Sequence, residues 1–312
     1  MALFPAPILT NGATHSAQQF RMMVRDLVSG AEGITQGADL KVTQLSTPGT
    51  SVQVGDGSGV VRGRVSAFQG TYSVCNIGAA TVPIAATGAS ARSDMVILRI
   101  EDPEYEGSRN PETDQINYFQ VISGVSSSAT TIPDGRTGIP LARIDIPAST
   151  STITNAMIKD IRQIANPRTV RDIYTQSPTA LSNVISNTNG VFTSFNSAPG
   201  WQVPIPAWAT QVKLRFDVGQ IRYTTGSIVG SFRATFGVSL TTEAVSLNDD
   251  GSTGTRRVSV ISGDTVTLPS IYPGTTQTLR AQGAGRAGNA GGIAVDTATT
   301  LVADVQFVET PI

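Results

Sequence analysis

Between Gln211 and Val218 the chain reads Gln-Val-Lys-Leu-Arg-Phe-Asp-Val, with an apolar residue at every second position. A period of two places Val212, Leu214, Phe216 and Val218 on one face of an extended strand and Lys213, Arg215 and Asp217 on the other. A helix would scatter the same residues around its circumference. Shorter strands are expected at 40–45, 51–54, 60–65, 70–77, 118–123 and 139–146, then at 231–240, 256–261, 270–279 and 300–308. Turn-forming runs such as Gly55-Asp56-Gly57-Ser58-Gly59 separate them. The almost continuous apolar run Asp94–Ile100 suits a central strand covered on both faces. The chain is expected to be mainly β.

Composition agrees with this reading. Charged residues make up 14% of the 312 positions, against roughly a quarter in ordinary soluble domains. Gly, Ser, Thr and Ala take their place, which suits pleated sheets joined by tight turns. Hydrophobic residues at 39% are enough for real cores, and the length suggests two or three domains. Net charge is −1, and Arg256-Arg257 is the only adjacent basic pair. Neutralising a phosphate backbone needs clustered cations, so nucleic acid is excluded as a partner. No run approaches the ~20 apolar residues of a membrane span, and no membrane insertion is expected. Met1–Pro7 lacks the basic and apolar regions of a signal peptide, so assembly in a cytoplasm is expected. Cys75, the only cysteine, lies in the strand-like run Tyr72–Ile77 and is expected to be a small buried hydrophobe.

One helix stands out. From Ser16 to Gly30, Phe20, Met23, Val24, Leu27 and Val28 fall at i, i+3, i+4, i+7 and i+8 and form one stripe. Ser16 with Gln19 fits a capping box, and Gly30 fits a stop. The stripe is expected either to cover a sheet or to pack against symmetry-related copies. A short second helix is expected from Thr152 or Thr154, carrying Met157, Ile161 and Ile164, with Pro167 ending it. The polar stretch 168–189 reads as a linker. The organisation expected is thus an arm and helix (1–30), a β-sandwich-like attachment domain ending in a helix (31–167), the linker, and a C-terminal jelly-roll or β-sandwich domain (190–312).

Few residues invite chemistry. His15 is the only histidine, so a Ser-His-Asp triad would have to use it, and one His with one Cys cannot build a zinc site. Gly283-Ala284-Gly285-Arg286-Ala287-Gly288 matches the dinucleotide fingerprint literally, but Asn289-Ala290-Gly291-Gly292 follows where that fingerprint needs a helix. Carboxylates crowd the loop Glu101–Asp114, which reads as a solvated tip and alternatively as a weak cation site or a glycosidase pair using Glu104. Asp249-Asp250-Gly251 reads first as a hairpin tip and alternatively as a calcium turn, although it lacks the EF-hand spacing. Trp201, Trp208, Tyr223 and Tyr272 are candidate glycan contacts, because aromatic faces stack on sugar rings, although a β-sandwich uses the same residues as core. No catalytic residue, metal site or cofactor is expected.

The order of elements carries a resemblance. Gln18-Gln19-Phe20-Arg21 leads to Gly37–Val42, Val52–Gly57, Arg62-Gly63, Ala91–Arg99, Ile139–Ala142 and Ile153–Arg162. Over residues 10–170 this series resembles the minor tail or baseplate proteins of long-tailed bacteriophages infecting actinobacteria. The resemblance implies a non-enzymatic virion protein of the tail tip, homotrimeric, contacting other tail proteins through its first half. It further implies a variable C-terminal tip, for which host cell-wall glycan is the alternative partner. A capsid fibre and a cell-wall glycosidase are the remaining readings.

Overall fold

The computed structural model describes residues 11–12 and 14–312; residues 1–10 of the expected arm lie outside this range. The chain forms two compact units. Unit 1 comprises the chain up to Pro167 together with Thr310–Ile312, and unit 2 spans Arg168–Glu309.

Unit 1 opens with helix α1 (Ala17–Leu27), and the capping box forms as its sequence foretells. Gln19 donates its backbone N–H to Ser16 Oγ at 3.2 Å and accepts from the Ser16 N–H at 2.7 Å. Ten strands follow: β1 (Gly33–Ile34), β2 (Val42–Gln44), β3 (Ser51–Val54), β4 (Gly57–Arg62), β5 (Thr71–Asn76), β6 (Ala80–Pro83), β7 (Arg92–Ile100), β8 (Asn117–Val125), β9 (Gly138–Ile146) and β10 (Ile158–Asp160). They make three sheets, ordered β1-β4-β5, β2-β3-β6 and β10-β9-β7-β8. The apolar run at 94–100 is a central strand: β7 pairs with both β8 and β9 and is buried from Asp94 to Ile100. Its core includes Ile34, Val52, Val96, Leu98, Leu141 and Ile144.

The expected second helix does not form. Asn155–Met157 is a single 3₁₀ turn, and β10 follows it, pairing Ile158 with Ile144 and Asp160 with Ala142. Met157, Ile158 and Ile164 pack singly against the core, so spacing that imitates a helical face belongs to an extended segment. Cys75 is exposed rather than buried, because it sits opposite Ser58 on the solvent side of a small sheet.

Unit 2 holds β11 (Thr169–Gln176), β12 (Thr193–Ser194), β13 (Trp201–Pro204), β14 (Gln211–Tyr223), β15 (Ile228–Phe236), β16 (Leu240–Thr241), β17 (Val245–Asp249), β18 (Arg256–Thr267), β19 (Thr276–Gly285), β20 (Ile293–Ala294) and β21 (Thr300–Val308). One sheet runs β11-β21-β14-β18; the other runs β13-β19-β15-β17 with short additions. Counting these eight strands along the chain, the orders are 1-8-3-6 and 2-7-4-5, the connectivity of a jelly roll. The stretch 168–189 is therefore no linker. Thr169–Gln176 pairs along its whole length with β21. It escaped notice because an edge strand exposed on both faces has no alternation to show. Asp249-Asp250-Gly251 is likewise not a hairpin tip, since β17 and β18 lie in different sheets.

The alternation at 211–218 holds as read, with Val212, Leu214, Phe216 and Val218 buried in the core with Phe232, Phe236 and Phe307. Beyond it the pairing register slips between Val218 and Ile221, with Gln220 at a positive φ of 62°. This bulge reverses the strand's phase and turns Ile221 and Tyr223 inward.

Candidate assembly and attachment surfaces

Helix α1 rests on unit 1 by its polar side. Gln18 Nε2 donates to the Phe68 carbonyl at 3.0 Å, Arg21 Nε to the Gln69 carbonyl at 2.9 Å, and Arg25 Nη1 to the Ala67 carbonyl at 3.2 Å. Arg21 also reaches Asp102 at 3.3 Å and Glu104 at 2.5 Å, and its guanidinium lies over the rings of Tyr72 and Tyr105. Tyr72 in turn donates to Asp102 at 2.6 Å. Burial, then that bond, holds its phenol above the ordinary value. Gly70 permits this approach: it has φ +81°, and a Cβ there would lie 2.6 Å from the Arg21 carbonyl carbon.

Residues 18, 21 and 25 occupy one side of a 3.6-residue helix, and residues 20, 23, 24 and 27 the other. The expectation that the stripe covers a sheet is therefore corrected. Only Gln19 of the helix is buried, while Phe20 is 39% and Leu27 75% exposed. Met23, Val24 and Val28 are half-buried. In the loop on which the polar side rests, Val65 and Phe68 are also exposed, at 54% and 63%. His15 stays beside this surface, its ring edge-on to Phe20. The docking residues were missed in the sequence because arginine on a helix normally signals a solvated face.

The acidic loop is part of the same anchorage. Glu101 accepts from Tyr118 at 2.8 Å and from Arg109 at 3.1 Å, and Glu106 from Arg99 at 2.8 Å. With Asp102 and Glu104 on Arg21, these four carboxylates are committed to neighbours within the protein. A glycosidase needs two carboxyls facing substrate across a cleft. Among the described residues no group of three or more His, Cys, Asp and Glu is arranged to hold a metal ion. Gly283 and Gly285 lie in β19 rather than ahead of a helix, and a Cβ on Gly285 would overlap the Asn187 carbonyl oxygen at 1.8 Å. These glycines serve close packing.

The four aromatics named for glycan contact separate. Tyr223 and Tyr272 are 2% and 1% exposed, which removes them as contacts. Burial pushes the Tyr223 phenol up to about 12. Tyr272 donates to the Phe236 carbonyl at 3.2 Å, and its oxygen accepts from the Ser239 N–H at 3.1 Å. Trp201 is half-buried between Tyr174 and Phe216, with ring centroids 6.0 and 5.6 Å away. Trp208 is half-buried as well, packed on the core and covered by the Arg168 guanidinium at 5.3 Å.

No protein-family model and no curated protein sequence matches the chain. Among solved structures it is similar to that of the infectious bursal disease virus Gx strain, at 10% identity over 90% of this chain and 79% of that one, with a TM-score of 0.25. The VP2 subviral particle of infectious bursal disease virus is similar at 11% identity over 93% and 82%, also with a TM-score of 0.25. A Bacillus thuringiensis Cry1Da tryptic core variant follows at 9% identity over 99% and 58%, with a TM-score of 0.17. Superpositions this loose carry no functional argument; the jelly-roll assignment rests on strand order alone.

Proposed function

We propose that the chain is a non-enzymatic structural virion protein of a phage tail tip. It assembles as a symmetric homo-oligomer, a trimer, docks on other tail proteins through unit 1 and presents the jelly roll of unit 2 outward. The observation that carries this reading is the seating of α1. A helix fixed by Gln18, Arg21 and Arg25 keeps Phe20 and Leu27 in water, and that apolar surface finds burial in assembly. Light scattering behind size exclusion tests it. The mass expected is three times 32.5 kDa or a whole multiple of that, and Leu27→Asp is expected to lower it without unfolding the chain. A monomeric mass for the unmodified chain rejects self-assembly.

Recognition of cell-wall glycan is the second reading, and the partial exposure of Trp201 and Trp208 is what favours it. A glycan array with the full chain is expected to give signal that Trp208→Ala weakens. Silence on host cell-wall glycans removes this reading and leaves the first intact.

A further inference from the structure

Strand β11 forms one edge of its sheet, and among the described residues nothing pairs with its outer side. Seven of its eight residues are exposed, including Ile173 at 63% and Val170 at 43%. Proteins usually blunt such edges with proline, unpaired charged side chains, a bulge or a covering loop. Thr169–Gln176 contains no proline, its register against β21 is unbroken, and of its two charged residues, Arg171 and Asp172, the arginine is tied back to Asp304 of β21. The direction of its backbone groups follows from one hydrogen bond: Glu309 donates its N–H to the Arg168 carbonyl at 3.1 Å. Arg168 and its even-numbered successors thus face β21. The N–H and C=O groups of Thr169, Arg171, Ile173 and Thr175 are left along the open edge.

We propose that this edge pairs antiparallel with the same edge of a second copy, about a twofold axis at Ile173, so that two sheets become one. Charge selects the register. An axis at Arg171 or at Asp172 would set like charges directly opposite each other, which destabilises a ladder. An axis at Tyr174 shortens the overlap to 172–176 and leaves Ile173 against threonine. With the axis at Ile173 the overlap runs 170–176 and the two exposed isoleucines meet. Arg171 then lies opposite Thr175 of the second copy. Asp172 lies opposite Tyr174 of the second copy, a carboxylate facing a phenol that can donate to it. The open groups of Arg171, Ile173 and Thr175 all gain partners. A two-fold pairing of identical surfaces closes without leaving a new edge of the same kind. This contact lies in unit 2 and is independent of the α1 surface.

The test uses the full chain with the exposed Cys75 removed (Cys75→Ser) and one new thiol, at Ile173→Cys or at Thr175→Cys, treated with a short-span bismaleimide. Tryptophan fluorescence checks that each variant is folded. Residues paired at the axis have Cα atoms about 5.5 Å apart. Two copies of position 175 lie about 13 Å apart along the ladder, so cross-linking there is expected to be about tenfold weaker. The Ile173→Cys dimer is expected to persist when Leu27→Asp is added. Equal yields at both positions would indicate chance collision and overturn the pairing, and so would absence of a dimer at position 173.

Discussion

Unit 1 encloses arginines and unit 2 encloses phenylalanines. The Arg162 side chain is fully buried in unit 1, bonded to Asp160 at 2.6 Å and to the carbonyls of Asp39 and Ile312 at 2.5 and 2.9 Å. Arg99 is 8% exposed and bound to the Thr137 carbonyl and Glu106. Unit 2 instead stacks Tyr174, Trp201, Phe216 and Phe232 in one series and Phe307, Phe236 and Tyr272 in another. Its only buried charged residue among those described is Glu309. Three small sheets cannot fill an interior with side chains from two broad faces, so unit 1 ties its loops together with guanidinium forks. The two larger sheets of unit 2 face each other and have no such need.

Both tryptophans lie in unit 2, so their fluorescence follows that unit alone, and circular dichroism follows both. The largest effect is expected from Phe232→Ala, fully buried between the sheets, at a cost of about 3–5 kcal/mol. The fluorescence transition in urea should move to lower denaturant, with the unit 1 part of the dichroism signal staying in place. Next comes Arg162→Met, which strands Asp160 and two carbonyls and should cost about 2–3 kcal/mol. This loss is expected in dichroism, with the fluorescence midpoint unmoved. If each variant shifts both signals equally, the two units do not unfold by separate chemistry.

Alkali sharpens the contrast. A phenol whose folded pKa is raised contributes stability that is fully present below its unfolded value near 10 and is lost as pH rises through the folded value. Tyr223 is raised to about 12 by burial. The fluorescence-reported stability should therefore fall by about 1.4 kcal/mol per pH unit between these limits. Tyr223→Phe should flatten that fall, and Tyr72→Phe, on the raised phenol of unit 1, should leave it unchanged. Acid does not discriminate. Glu101, held low by Tyr118 and Arg109, and Asp296, held low by Arg257, sit in different units. Both support the fold above ordinary carboxylate values and lose that support as pH falls through their lowered ones.

The same contrast explains what could be read from residues alone. Alternation at 211–218 showed one strand and its buried face, because a two-sheet interior imposes period two on whatever lines it. The α1 capping box was legible because it closes within four residues. Which face Tyr223 takes could not be read by extending the alternation, because a bulge at Gly219-Gln220 inverts the phase; Gly219 inside the strand pattern was the one available sign of it. The polar seat of α1 was invisible for a different reason. Arg21 meets Asp102 and Glu104 across more than eighty positions of sequence, and a helix wheel cannot say which of its faces finds partners. Ile158–Asp160 became strand because β9 offers it a ladder, and a tertiary partner overrides local spacing.

The smallest effect sets the scale for the rest. Arg215 and Asp217 face solvent on β14, 3.1 Å apart with side chains 59% and 36% exposed. A pair so hydrated exchanges water contacts for one another at little net gain, and Arg215→Ala should cost no more than about 0.5 kcal/mol. The fluorescence midpoint in urea checks it, and 1 M salt should change it no further. Arg21→Ala in unit 1 removes the same chemical group, but there the guanidinium is 11% exposed and serves Asp102, Glu104 and the Gln69 carbonyl. Leaving those groups unpaired should cost about 1.5–3 kcal/mol. The ratio of the two losses measures what enclosure adds to an arginine. Equal losses would mean that unit 1 is held by its apolar core alone and that its guanidinium forks only decorate it.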